Sequence, residues 1–514
     1  MIKRIFLGML LGLLTTSAFA QATNEPWTLE RCILHAFKSN LSVLQTAAQL
    51  DNAAADLLQT RMNRVPTLNA NSNIGINSGR VIDPFTNTFE ERSIESNQIG
   101  AQAGVPIFSG LQIHNSIKAN KMAFMASQQD LEVTRNNIAL SISNLYLQAL
   151  LAEWDLYRLQ MNHKPVIREL HIGGGTPTFF SPGNLKILLE HILRDAFVPD
   201  VHEFSFEGHP NNTTYLHLKT LYELGFNRVS FGMQDSDSEV QRVINRFQPQ
   251  AHVIQVVDWA REIGYKSVNL DLVYGLPLQD ISKMAQTIQD ALDVRPDRIA
   301  FYSYAHVPWT SRAQRLFNEQ DLPNVQEKIA LYQLGKQLFA AAGYEDIGMD
   351  HFALSSDLMV QAAHQGTLHR NFMGYTVQET GLLLGLGVSS ISDAGKAFAQ
   401  NKKTIREYYE QVARGELPVF RGYFLTEEDL QMRQYILDVA CRGTVTFEPG
   451  QYAELTESTV GELNDLAADG LLTWNAQRLQ VTASGKHFIR NICKAFDLKL
   501  LNSDIEKKTF SQAV

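Results

Sequence analysis

Between Arg168 and Tyr304, five strand-like runs alternate with helix-length segments: Arg168–Ile172, Glu203–Glu207, Asn227–Gly232, Ser267–Leu272 and Arg298–Tyr304. This order leaves a chain few solutions. Strands separated by crossover helices lie side by side and parallel, because a tight hairpin cannot join them. The expected class is α/β, a truncated parallel (β/α) barrel of partial TIM type. In such folds the C-terminal ends of the strands converge on one ligand site. Those ends carry Gly173-Gly-Gly-Thr176, Glu207, Gln234 just beyond the third strand, Asp271 and Ala305-His306.

Taken singly, each residue has an ordinary structural role. A glycine triplet makes a tight turn, Glu207 pairs on a surface, Asp271 caps a helix and Arg246 is a solvated helix residue. Taken together they suit a small zwitterion bearing a ribose. Bare backbone at Gly174 and Gly175 admits an amino group closely. Glu207 accepts from that ammonium, and Arg246 forks onto a carboxylate with Gln234 beside it. Asp271 accepts from ribose hydroxyls. An amino acid joined to a nucleoside is S-adenosylmethionine.

The rest of the composition sets bounds. With 514 residues, 45% hydrophobic and 19% charged, the chain is globular and long enough for several domains. A net charge of −9 argues against nucleic acid as a partner, since phosphate binding needs a basic face. The only cysteines, Cys32, Cys441 and Cys493, are too scattered for a metal or disulfide framework.

The first third of the chain has another texture. Residues 1–20 read as an export leader: Lys3 and Arg4, an apolar run from Ile5 to Leu14, then Ala18-Phe-Ala20. A helix is expected from Thr28, as its cap, to about Met62. Leu68, Ala70, Ser72, Ile74 and Ile76 then alternate with polar residues, and so do Ile99, Ala101, Ala103, Val105 and Ile107. Such alternation suits either a barrel wall between lipid and water or a hairpin on a soluble core. A second helix is expected over Leu111 to Leu159, with a seven-residue seam at Leu131, Ile138 and Leu145. Trp27-Thr-Leu-Glu-Arg-Cys-Ile33, Ile82-Asp-Pro-Phe85 and Val105-Pro-Ile-Phe-Ser-Gly110 resemble outer-membrane channel proteins of the TolC type over residues 1–160. That family has two such repeats where this chain has one, and a lone repeat leaves sheet edges that lipid does not tolerate. Membrane association is expected only through this segment.

From about residue 164 the motifs are those of a second lineage. Gly173-Gly-Gly-Thr-Pro177, Phe204-Ser-Phe-Glu207, Gly225-Phe-Asn-Arg-Val-Ser-Phe-Gly-Met-Gln-Asp235 and Val243-Ile-Asn-Arg246 resemble the oxygen-independent coproporphyrinogen III oxidase family. So do Asn269-Leu-Asp-Leu-Val-Tyr-Gly-Leu-Pro277, Tyr304-Ala-His306, Gly348-Met-Asp-His-Phe352, Leu368-His-Arg-Asn-Phe372 and Gly387-Val-Ser-Ser-Ile-Ser392. These are radical S-adenosylmethionine enzymes of haem synthesis that convert two propionates of coproporphyrinogen III to vinyl groups. The resemblance implies that Gly174, Gly175, Thr176, Glu207, Gln234, Arg246, Asp271, Ala305 and Ile391 line the S-adenosylmethionine sites. It implies a tetrapyrrole substrate, with His306, His351, His369 and Arg370 as candidate contacts. It also implies a winged-helix-like C-terminal domain, read here as helices Glu428–Ala440 and Val460–Ala468, a strand pair around Trp474–Val481 and a final helix from Ser484.

One part of the family pattern is absent. Its four-iron, four-sulfur cluster is held by Cys-x3-Cys-x2-Cys after the first barrel strand, and this sequence contains no such triplet. The end of the channel-like helix stands where that strand and loop are expected. The chain therefore reads as a chimera joined near residues 155–164, lacking its radical source. Its leader points to export, while its enzyme-like part suits the cytoplasm.

Overall fold

The computed structural model describes residues 29–82, 85–308, 314, 317–379 and 381–501; the leader at residues 1–20 and the cap at Thr28 lie outside them. Two compact units emerge, one of Arg31–Ile142 and the other built mainly of Ser143–Val514.

The smaller unit follows the expected order, with corrections. The first helix is two, α1 (Leu29–Ser39) and α2 (Leu41–Met62). Asn40 interrupts them in extended conformation, its side chain accepting from the amides of Ser42 at 2.9 Å and Val43 at 3.4 Å. Asparagine favours this capping role because its oxygen satisfies amides that the new helix leaves open. Strands β1 (Thr67–Ile82) and β2 (Phe89–Gly104) pair antiparallel from Thr67↔Gly104 to Ile82↔Phe89. Leu68↔Ala103, Ala70↔Ala101 and Ser72↔Ile99 align the two expected faces, but Ile74 meets Asn97 and Ile76 meets Glu95. The apolar stripe thus runs for only part of the hairpin. Val105 and Ile107 lie past the end of β2 rather than within it. Among the described residues no helix is long and apolar enough to cross a membrane.

Helix α3 (Gln112–Gln160) is a single element of 49 residues. The seven-residue seam does not persist along it: Leu131 is buried, whereas Leu145 is 57% exposed. From Ser143 onward the buried positions are Ser143, Leu147, Ala149, Leu150, Glu153 and Trp154; Ser143, Leu147, Leu150 and Trp154 among them are spaced four, three and four. That is the period of an amphipathic α-helix packed on a globular core, on a face that excludes Leu145.

The larger unit is built on a seven-stranded sheet. Its strands are β3 (Glu169–Ile172), β4 (Glu203–Gly208), β5 (Arg228–Gln234), β6 (Ser267–Tyr274), β7 (Arg298–Ser303), β8 (Tyr344–Gly348) and β9 (His351–Leu354), in spatial order 3-4-5-6-7-9-8. The first five are parallel, as expected. The last two are not: β9 runs antiparallel to both β7 and β8. Gly348, Met349 and Asp350 in succession adopt positive φ and fold β8 and β9 into a hairpin. Strand β3 is a sheet edge.

Strands β4 to β6 bury Phe204, Phe206, Val229, Phe231, Leu270 and Leu272 completely. The intervening positions Glu203, Ser205, Glu207, Ser230 and Asp271 make the opposite face polar. This period of two aims one row of side chains at the packing helices and the other at the barrel interior.

The C-terminal part has helices Glu427–Arg442 and Glu457–Ala468 around Tyr435, Val439, Leu463 and Phe496. The expected strand pair, Leu472–Trp474 and Arg478–Val481, gains a third strand at Thr444–Thr446. The final helix expected from Ser484 is a 3-10 turn, Gly485–Phe488, before an α-helix at Ile489–Lys494.

Candidate adenosyl site

The glycine turn after β3 has the backbone that the sequence implies. Gly174 (φ 79°) and Gly175 (φ 157°) both lie where a side chain is strained. At Gly173 the constraint is space: an added Cβ would stand 2.5 Å from His171 Nε2 and 2.9 Å from Glu207 Oε1. His171 Nδ1 is bonded to Ser205 Oγ at 2.9 Å, which turns its Nε2 toward Glu207 at 3.5 Å. The Glu207 side chain remains 44% exposed and so can reach a ligand. Thr176 follows at the start of the turn Pro177–Phe179.

On β5 the neighbouring group gathers around Gly232. Arg246 Nη2 donates to the Gly232 carbonyl at 2.9 Å. A Cβ at Gly232 would meet Gln234 Nε2 at 2.7 Å and Arg246 Nη2 at 2.8 Å. Gln234 has φ 65° and lies beside a register shift between Gly232 and Gln234. Such a bulge re-aims a side chain at a strand end. Nearby, burial and then the Arg246 charge push the His209 imidazole down to about 4, so it stays neutral.

Asp271 faces Gly232 across the β5–β6 register. It accepts from Ser230 Oγ at 3.1 Å and Asn269 Nδ2 at 2.7 Å. Burial raises its carboxyl to about 6; the Ser230 bond opposes this and the Glu207 charge adds to it. The Glu207 charge thus acts on Asp271 from β4, and acidic groups set close together suit an ammonium and hydroxyl donors.

The structure therefore places Gly174, Gly175, Glu207 and Gln234 at or just past the ends of three adjacent strands, Asp271 within β6 opposite Gly232, and Arg246 beyond the helix that follows β5, donating back to Gly232. Ala305 lies just past β7, its carbonyl accepting from Gln314 Nε2 at 3.1 Å. Ile391 does not join the central sheet; it opens a strand, Ile391–Asp393, of a separate three-stranded sheet. Among the candidate substrate contacts, His351 is held neutral at about 4 by burial, with Tyr302 and Tyr375 edge-on to it. Arg370 lies over the Tyr375 ring at 4.7 Å. His369 is driven down by burial, and His306 packs against Tyr304 and Phe317.

Sequence reading missed the supporting layer. His171, Ser205, Ser230 and Asn269 orient the acids. Beyond them, Arg228 Nη1 donates to Glu203 at 2.6 Å and Arg298 Nε to Asp357 at 2.8 Å, while Arg298 Nη2 stands 3.6 Å from Glu203. The available signal was polar residues two positions before each strand end, as in Ser205-x-Glu207 and Asn269-x-Asp271.

The parallel sheet and glycine turn are those of the radical S-adenosylmethionine class, and the family model described as Radical SAM superfamily matches residues 155–291. A second model, Outer membrane efflux protein, matches residues 33–170 and accounts for the helix–hairpin–helix segment.

More narrowly, the chain belongs to the oxygen-independent coproporphyrinogen III oxidase family. It is 35% identical over 425 residues to the Pseudomonas aeruginosa oxidase, covering 80% of this chain and 90% of that protein. With the Escherichia coli oxidase it shares 39% over 341 residues, covering 65% and 74%. The solved structure of coproporphyrinogen III oxidase from Escherichia coli superposes with a TM-score of 0.67 at 38% identity, over 70% of this chain and 84% of that one.

Radical S-adenosylmethionine proteins also use a four-iron cluster, and the residues present here do not fit one. Cluster iron needs thiolates. Burial raises Cys32 and Cys441 to about 11 and Cys493 to about 12, which keeps all three protonated. Cys441 and Cys493 belong to the C-terminal core rather than the glycine turn. Among the described residues, no cluster of three or more histidine, cysteine, aspartate or glutamate side chains is placed to hold a metal ion.

Proposed function

We propose that the larger unit binds S-adenosylmethionine, and a tetrapyrrole of the coproporphyrinogen class, without radical turnover. The observation that supports this most is that Glu207, Asp271 and the Gly232–Gln234–Arg246 group are carried by three neighbouring strands and the segment that reaches back to the middle one. Glu207 takes the ammonium beside the glycine turn, Arg246 and Gln234 take the carboxylate, and Asp271 takes the ribose. Thr176, Ala305 and Ile391 complete the walls. Since the cluster ligands are missing, no step of reductive cleavage is assigned. The tetrapyrrole comes from the relatives' name, coproporphyrinogen III oxidase. The enzyme-like part suits the cytoplasm and the efflux-type segment an outer membrane, so cell fractionation decides which governs.

Calorimetry with S-adenosylmethionine tests the reading. The wild-type chain should release binding heat and Asp271→Ala should not. A wild-type chain that gives no heat removes the proposal.

A further inference from the structure

We propose that Glu153 is a positioning residue of the adenosyl site, acting through the Gly385–Ser390 segment that leads into Ile391. This deepens the adenosyl-binding reading and rests on it.

Glu153 sits near the end of α3 and is fully buried. Its Oε2 accepts from the Gly387 amide at 2.7 Å and from the Tyr408 hydroxyl at 2.7 Å. Its Oε1 accepts from Asn401 Nδ2 at 2.6 Å. The three donors come from a loop, a strand end and a helix, more than two hundred residues away in sequence. Where packing alone is at issue, an apolar side chain serves as well, since burying a carboxylate costs free energy that hydrogen bonds only partly offset. What three convergent acceptor contacts add is a fixed position for the Gly387 backbone.

The segment is built to be held there. Gly387 has φ 95°, and a Cβ on it would meet Tyr146 Oη at 3.2 Å and Leu150 Cδ2 at 3.4 Å, both on α3. Ser390 Oγ donates to the carbonyls of Gly385 at 2.9 Å and Gly387 at 2.8 Å, while Asn401 N donates to Ser390 O at 2.9 Å. Just beyond Ile391, Ser392 Oγ accepts from the Gly385 amide at 3.0 Å and so ties the two ends of the segment together.

The same helix turns also touch the other edge of the site. Tyr146 packs against Phe180 with ring centroids 6.1 Å apart, and Asn144 accepts from Asn184 at 3.3 Å. Asp155 pairs with His191 at 2.6 Å. Phe180 closes the turn after Gly174–Thr176, and Asn184 and His191 belong to the helix that follows it, Pro182–Arg194. Residues 143–160 therefore bridge the two segments that carry Gly174–Thr176 and Ile391, and Glu153 is the anchor on the Ile391 side.

The test pairs Glu153→Leu with Glu153→Gln. S-adenosylmethionine affinity is measured by calorimetry well below the melting midpoint, and amide exchange is followed over residues 383–392. Gln keeps an oxygen for Gly387 and Tyr408, so its affinity should stay within about threefold of wild type. Leu leaves three buried donors unmet, so affinity should fall about tenfold with faster exchange in 383–392. Unchanged affinity in a folded Glu153→Leu chain overturns the proposal, as do equal losses in both variants. Should Glu153→Leu not fold, Tyr408→Phe removes one donor and should weaken binding about threefold; unchanged binding there overturns it equally. If wild type binds no ligand, the adenosyl reading fails, and exchange in 383–392 still decides whether Glu153 anchors the segment.

Discussion

Arg246, which follows the short helix after β5, reaches back to donate to the carbonyl of Gly232 at 2.9 Å, and only a glycine leaves room for it. This contact holds the guanidinium beside Gln234 and explains why position 232 carries no side chain.

Gly232→Ala follows from it. The added methyl would lie within 3 Å of the ends of two flexible side chains rather than of backbone, so the fold should adjust while the fork moves away. The expected outcome is about tenfold weaker S-adenosylmethionine binding with a melting midpoint close to wild type, measured by calorimetry and thermal denaturation.

The charges of Glu203, Arg228, Arg298 and Asp357 are a matter of stability. Arg298 is 4% exposed and bonded to Asp357 through Nε, and Asp357 also accepts from Ser267 Oγ at 3.0 Å. Both acids are held below their ordinary range, against the cost of burial, by these arginines. Arg298→Met leaves Asp357 without its guanidinium and should cost about 3–5 kcal/mol in urea denaturation. Adding Asp357→Asn should recover part of that loss.

Glu153 carries a pH signature. Burial raises it to about 7, with Tyr408, Gly387 and Asn401 opposing the rise. Because the folded value lies above the ordinary 4.5, the fold favours the protonated form. Its contribution is complete below pH 4.5 and is lost as pH rises through about 7. Wild type should therefore lose about 3 kcal/mol relative to Glu153→Gln between those limits, read from denaturation curves of the two chains at matched pH.

Much of this was legible in the sequence, and the failures have physical causes. Five parallel strands and their polar ends were visible because apolar runs of strand length alternate with helical ones. The β8–β9 hairpin escaped because Met349 and Asp350 adopt positive φ although neither is glycine. The break at Asn40 escaped because the apolar period continues through the cap. At Leu145 the seven-residue spacing misled: heptad repetition does not say which face is covered, and from Ser143 the covered face is another one. The motifs change from about residue 164, just past the end of α3, whereas packing divides at Ser143, within the helix. Ile391 came only from family likeness, since it lies outside the sheet whose strand ends the pattern reveals.

The proposed adenosyl pocket does not depend on an iron cluster to bind its ligand. The direct measurement is S-adenosylmethionine affinity of the purified chain before and after anaerobic treatment with iron and sulfide, with Asp271→Ala alongside. Equal affinity in both states, abolished by Asp271→Ala, is the predicted result. Binding that emerges only after treatment, together with four irons per chain, would contradict it.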